Sequence, residues 1–154
     1  MFEVKNSNKL DSQVYRDSLI IREDVFVKEQ GVPIEIEIEG EEGPKYYCGY
    51  VDGNFVTCAR VKIEDGGVWH IQRVATLKDS RGKGYSSSLL RSIEEDARKA
   101  KVPYLTLGAQ DTAQAFYKKL GYEVVGEGFL DAEMPHHRMD KKLGSRKVLV
   151  TKIE

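Results

Sequence analysis

The chain lacks most of the features that would classify it at a glance. Cysteine occurs twice, as Cys48 and Cys58, and neither lies in a metal-ligand spacing, so no metal is expected. The two flank a "DGN" turn, where a disulfide is sterically conceivable; in a reducing compartment they read as two small buried hydrophobes. No apolar run approaches the roughly 20 residues that span a bilayer, and the start "MFEVKNSNKLDSQ" has no cationic segment followed by an apolar one. No membrane association and a cytoplasmic location are therefore expected. An excess of either charge is also missing: 24 basic residues face 25 acidic ones, which argues against a nucleic-acid partner. With 154 residues, no repeat and no low-complexity linker, one domain over residues 1–154 with one hydrophobic core is the expectation.

The patterns that are present define an alternating order of elements. "FEVK" alternates as a strand, and "DSQVYRDSLIIREDVFVKEQG" puts Val14, Ile21 and Val25 on one helical stripe, with Asp11 or Ser12 as N-cap and Gly31 and Pro33 as stops. "YYCGYV" and "FVTCARVKI" flank "DGN" as a hairpin, and "EDGG" turns the chain into the strand "VWHIQRVATL". A helix follows through Tyr85, Leu89, Ile93, Ala97 and Ala100, then a buried strand "VPYLTLGA". "DTAQAFYKKLG" is a compact helix, and "YEVVGE" and "HHRMDKKL" close as strands. Consecutive hairpins imply antiparallel pairing and the strand–helix–strand passage a right-handed parallel crossover, so a mixed sheet of the α+β (α/β) class is predicted.

"KDSRGKGYSSSLL", residues 78 to 90, gathers glycines, cations and serines at a helix start. Unpaired amides and the helix dipole attract anions there, glycines permit close approach, and Arg81 and Lys83 add charge. Phosphate is the obvious guest, although the stretch fits neither a P-loop nor a dinucleotide fingerprint. An ordinary turn whose serines cap a helix stays open as the alternative.

In its context the loop resembles the acetyl-CoA motif of the GCN5-related N-acetyltransferases, the GNAT superfamily. "RVATLKDSRGKGYSSSLL" supplies Arg81, Gly84 and Ser86 in the order [RQ]-x-x-G-x-[GA], with Ser86 where that family prefers Gly or Ala. "AQDTAQAFYKKLGY" resembles its second signature, with Gln110 at the Asn position and Ala113, Phe116, Tyr117, Gly121 and Tyr122 matching. "IREDVFVKEQGVP" and "MPHHRM" look like the ElaA or YjcF-type subgroup, so the likeness covers roughly residues 15 to 143. It implies a mixed, mostly antiparallel sheet flanked by helices, with a V-shaped splay between two central parallel strands. It also implies acetyl-CoA as co-substrate and, by analogy, a homodimer.

Residue by residue, the resemblance puts pantetheine against Val74, Ala75 and Thr76, much as an added strand would lie. The pyrophosphate falls on Arg81, Gly82, Lys83, Gly84, Tyr85 and Ser86, with Gln110 and Tyr117 completing the cofactor set. Tyr117 takes the role of acid for the leaving thiolate, although packing beside Phe116 also accounts for it. The base is open among Glu35, Glu37, His70, His136, His137 and an ordered water, and Arg73 either anchors an anionic acceptor or salt-bridges across the sheet. "IEIEIEGEEG", residues 34 to 43, reads as an edge strand with a solvated acidic face; the sharper reading makes Glu35 and Glu37 an acidic rim that attracts an amine. His136 is the fourth acceptor-side candidate, beside Glu35, Glu37 and Arg73. The implied reaction is acetyl transfer from acetyl-CoA to a primary amine, on a small molecule or peptide, by direct attack in a ternary complex. A non-catalytic acyl-CoA sensor or interaction module is the alternative, and a nucleotide-binding module stands third.

Overall fold

The computed structural model describes residues 1–144. Strand β1 (Phe2–Ser7) leads into helix α1 (Gln13–Arg22), whose first turn is closed by Ser12: its hydroxyl accepts from the Tyr15 N–H at 3.1 Å. Past Arg22 the helix widens into a π-helical run, Glu23–Glu29, which ends before Gly31 at φ +76°. The predicted stripe of Val14, Ile21 and Val25 is buried along this length.

The acidic stretch departs from the sequence reading. Residues 34 to 43 form no strand; Ile34–Glu37 make a one-turn helix, α2, because Pro33 sets its entry and the Pro33 carbonyl accepts from the amides of Ile36 and Glu37 at 3.0 and 3.1 Å. A period of two in polarity was present, but the backbone bonds close locally instead of along a ladder.

Strands β2 (Lys45–Val51), β3 (Asn54–Ile63) and β4 (Trp69–Thr76) follow, then helix α3 (Tyr85–Lys99), β5 (Tyr104–Gln110), helix α4 (Gln114–Lys119), β6 (Glu123–Asp131) and β7 (Met134–Lys142). They form a seven-stranded mixed sheet in the order β1-β2-β3-β4-β5-β7-β6. The β1/β2, β2/β3, β5/β7 and β6/β7 pairs are antiparallel, and β4/β5 is parallel. The class is α+β, as the element order predicts. Strands β4 and β5 pair in register from Trp69–Ile71 to Leu105–Leu107.

The chain gathers into two compact units, one of Met1–Lys62 with Gln72–Ile93, the other of Ile63–Ile71 with the described residues from Glu94 onward. In the first, Val14, Ile21, Val25, Tyr46, Cys48, Tyr50, Cys58 and Ala75 pack as one apolar cluster. Each valine or isoleucine side chain removed from water contributes about 1.5–3 kcal/mol before chain entropy is subtracted. Cys48 and Cys58 face each other in register as free, buried thiols. In the second unit the buried residues include Ala97, Leu105, Leu107, Ala109, Tyr117, Tyr122 and Met139. Among the described residues no helix is long and apolar enough to cross a membrane.

Candidate active site

In the first unit the end of β4 and the start of α3 build the predicted loop. A 3-10 turn, Lys78–Ser80, brings the chain to Gly82 and Gly84, at φ +76° and +83°. Both lie in the left-handed region that a Cβ disfavours, and neither would have a neighbour within 4 Å of one. Ser88 donates its N–H to the Gly84 carbonyl at 3.1 Å, so α3 begins there and its first-turn amides have no carbonyl of their own helix to bond. Arg81 to Gly84 are exposed at this helix start, where free first-turn amides favour an anion.

Three of the predicted cradle residues are engaged within the fold. Arg81 donates from Nε to the Thr76 carbonyl at 2.9 Å and from both terminal nitrogens to Glu29, at 2.9 and 2.6 Å. Tyr85 stacks on Phe2, with ring centroids 5.5 Å apart. Ser86 meets the Thr76 hydroxyl, which lies 2.9 Å from the Thr57 hydroxyl, and Thr57 donates to the Ala75 carbonyl at 2.9 Å. Because a carbonyl only accepts, the protons must run one way along this chain, from Ser86 to Thr76 to Thr57 to Ala75. Ser86 therefore ties the first turn of α3 to β4. Lys83 is exposed and, among the described residues, has no ion-pair partner.

Val74 to Thr76 sit as predicted at the end of β4. The Ala75 carbonyl points to Thr57, and the Leu77 N–H reaches the Val56 carbonyl at 2.9 Å, so odd-numbered residues face β3. Val74 and Thr76 present their backbone groups to the other edge, where Arg81 already holds the Thr76 carbonyl. Just before them Arg73 has φ +55°, a left-handed value that a side chain makes costly by about 1–3 kcal/mol. Its guanidinium is anchored to the carbonyls of Ile36 and Glu37, both at 3.2 Å, and to the Glu37 carboxylate at 3.3 Å.

Glu37 is no solvated rim residue. It is 3% exposed and takes the Arg22 Nε at 2.8 Å, while Arg22 also bonds the Glu37 carbonyl at 2.7 Å. Glu41 completes the cluster, with Arg22 at 2.9 Å, Arg60 at 2.7 Å and the Tyr15 hydroxyl at 2.8 Å. Burial pushes the Glu37 carboxyl up despite Arg22; at Glu41 burial is outweighed by the Arg22 and Arg60 bonds, and the carboxyl sits low. Glu35, by contrast, is exposed. The roles of Arg22, Glu41 and Arg60 escaped the sequence reading, although an Arg directly after Ile21 on a buried stripe is the signal that could have found the first of them.

In the second unit, α4 positions Tyr117. The helix closes in a Schellman cap: Gly121, at φ +98°, donates to the Lys118 carbonyl at 3.0 Å, and Tyr122 to the Tyr117 carbonyl at 3.1 Å. The apolar contact that accompanies such a cap is here the edge-on pair of Tyr117 and Tyr122 at 5.8 Å. The spacing Y-x-x-x-G-Y is thus a structural unit that fixes the Tyr117 ring. Tyr117 is 7% exposed, burial pushes its phenol well above the usual range, and among the described residues its hydroxyl makes no hydrogen bond.

Gln110 ends β5 opposite His136 in register. His136 is buried, stacks on Phe129, and donates from Nδ1 to the Met134 carbonyl at 2.7 Å, a bond that does not engage Nε2. His137 is bound to Asp111 at 2.7 Å and His70 to Glu64 at 2.8 Å. Asp111 therefore engages a histidine as well as Gln114, which lies 3.3 Å from it, and α4 carries no side-chain N-cap of its own.

The chain is similar to known proteins. The family described as an acetyltransferase (GNAT) domain matches residues 12–143. An uncharacterized N-acetyltransferase of Bacillus subtilis, YjcF, is 38% identical over 128 residues, 82% of this chain and 91% of that protein. A putative N-acetyltransferase from Lactobacillus plantarum superposes with a TM-score of 0.83 at 26% identity, over 92% of this chain and 98% of its own. Escherichia coli ElaA does so with a TM-score of 0.76 at 24% identity, over 92% and 100%.

Proposed function

The chain belongs to the GNAT acetyltransferase family, and from that premise we propose that it moves an acetyl group from acetyl-CoA to a primary amine by direct attack in a ternary complex. The observation that carries the reading is Tyr117, a buried phenol that keeps its proton and has no internal partner among the described residues. The pyrophosphate rests on the amides from Gly82 to Ser86, with Lys83 as the free cation, and pantetheine pairs along the outer edge of Val74 to Thr76. Gln110 and Tyr117 complete the cofactor contacts.

The amine must arrive neutral, and deprotonating a lysine-like amine at pH 7 costs about 4.6 kcal/mol. Of the base candidates, Glu37 is held by Arg22 and Arg73, and His70 and His137 are held by carboxylates, whereas His136 keeps a free ring nitrogen. His136 therefore takes the acceptor's proton. Glu35, exposed on the turn of α2, attracts the amine, while Glu37 and Arg73 shape that turn instead of touching substrate. A backbone N–H near Val74 to Thr76 receives the oxyanion of the tetrahedral intermediate.

Tyr117 then donates to the departing sulfur. The thiolate of a thiol with pKa near 8.5 is a weaker base than an ordinary phenolate, whose phenol has pKa near 10, so complete transfer is uphill by about 2 kcal/mol. Burial enlarges that gap. What Tyr117 supplies is a hydrogen bond to a charge that develops only in the transition state. Incubating the chain with acetyl-CoA and a panel of primary amines, with free thiol as readout, tests the reading. Amine-dependent thiol release is expected; tight acetyl-CoA binding without release from any amine would leave the acyl-CoA sensor standing instead.

A further inference from the structure

Arg81 is held in a way that the transfer reaction does not use. Three of its nitrogens are engaged: Nε on the Thr76 carbonyl, and the two terminal nitrogens on the two oxygens of Glu29, the last residue of the π-helical run. This fork-to-fork pair fixes the plane of the guanidinium as well as its distance. At the other end of the loop Ser86 is tied to the Thr76 hydroxyl, so the cradle is fastened to Thr76 on both sides. Between the fastenings stand Gly82 and Gly84, whose Cβ positions would touch nothing, so packing does not hold the loop in shape.

Two roles for Arg81 make opposite predictions about Glu29. If Arg81 is a counter-ion for pyrophosphate, Glu29 competes for it and weakens binding. If Arg81 is a strut, Glu29 strengthens binding by ordering the loop before the ligand arrives, which removes part of the ordering cost of binding. Glu29 neutralises Arg81 and occupies both faces of its fork, while Lys83 is left as an unpaired cation among the described residues. We propose that Glu29 is a positioning residue for the acyl-CoA, holding Arg81 as a strut that preforms the Gly82–Ser86 cradle. The proposal rests on the acyl-CoA reading of this loop.

Glu29→Gln and Arg81→Lys separate the two roles in the full chain. The lysine keeps the charge and loses the fork, and the glutamine removes the carboxylate that a counter-ion would be better without. As a strut, each variant should weaken acetyl-CoA binding by about tenfold in calorimetry, the scale of lost pre-organisation, with kcat at saturating acetyl-CoA within about twofold of wild type. Amides of residues 82–86 should also exchange hydrogen faster than wild type in the absence of any ligand. Because the pair is exposed, at 42% and 36%, melting temperatures should stay close to wild type. Tighter or unchanged binding in Glu29→Gln, or unchanged exchange of the loop amides in both variants, would overturn the proposal. If wild type bound no acetyl-CoA, the acyl-CoA reading would fail on its own account, and with it the role given to Glu29, while the exchange comparison would still report whether the strut orders the loop.

Discussion

At the scale of single residues, Tyr117 has the most exacting assignment. Its hydroxyl is the only atom that Tyr117→Phe removes, and the ring contacts with Phe116 and Tyr122 survive the change. The expected outcome is a kcat about 10- to 100-fold lower, with the KM for acetyl-CoA and the melting temperature unchanged, as steady-state kinetics and a thermal melt would read. Activity equal to wild type would reassign that hydrogen bond to water. Because burial keeps the phenol protonated beyond the usual range, the pH profile of wild type should show no alkaline fall from Tyr117 up to about pH 10. Residues of this kind were legible in the sequence by position but only partly by role. Tyr117 stood out because it falls in the stretch that resembles the family's second signature. Glu37 appeared solvated because alternation with isoleucine says nothing about an arginine fifteen residues upstream, and that Arg22 bond is what buries it.

At the scale of elements, local signals carried furthest where a helix or turn is specified by its own ends. Ser12 caps α1, Gly121 caps α4, and the "DGN" hairpin forms between Val51 and Asn54. They failed at residues 34 to 43, where a proline entry overrode the alternation, and along Glu23–Glu29, where the continuing stripe gave no hint of the wider π turn. The cradle itself depends on backbone conformation, and Gly84→Ala tests it. A Cβ at φ +83° costs about 1–2 kcal/mol by strain alone, since no atom lies close enough to clash. We expect a melting temperature lower by about 2–8 °C and an acetyl-CoA affinity reduced by about tenfold. A large fall in stability with unaltered affinity would mean that the loop supports the fold and not the ligand.

At the scale of the whole molecule, the buried and half-buried carboxylates set the acid limit. Glu41 and Glu94 each lose hydration on burial, yet their bonds to Arg22 and to Lys141 and Arg98 outweigh it and hold both below the ordinary carboxylate value. For such groups the unfolded chain binds protons first as pH falls, so their contribution is present above about pH 4.5 and is lost below it. Glu37, raised by burial, acts in the opposite sense: its contribution is full below the ordinary value and is lost as pH rises through the raised one. Thermal melts should therefore be nearly level from pH 8 to about pH 5 and drop steeply toward pH 3, with Glu94→Gln softening that limb. Stability that rose between pH 5 and pH 3 would contradict this balance. The mixed sheet was legible because hairpin and crossover rules leave few topologies. The ionic cluster around Arg22 was not, since it joins segments that are remote in sequence.

Cys48 and Cys58 lie opposite each other, free and fully buried, with both thiols pushed up by burial, Cys48 to about 12. At neutral pH neither has an appreciable thiolate fraction, so a thiol-reactive dye should find no target in the native chain and two in the denatured one. The assay of CoA release thus runs against a silent background. The same dye, added without substrate, times how often the hairpin of β2 and β3 opens, and the protein carries its own stopwatch for local unfolding.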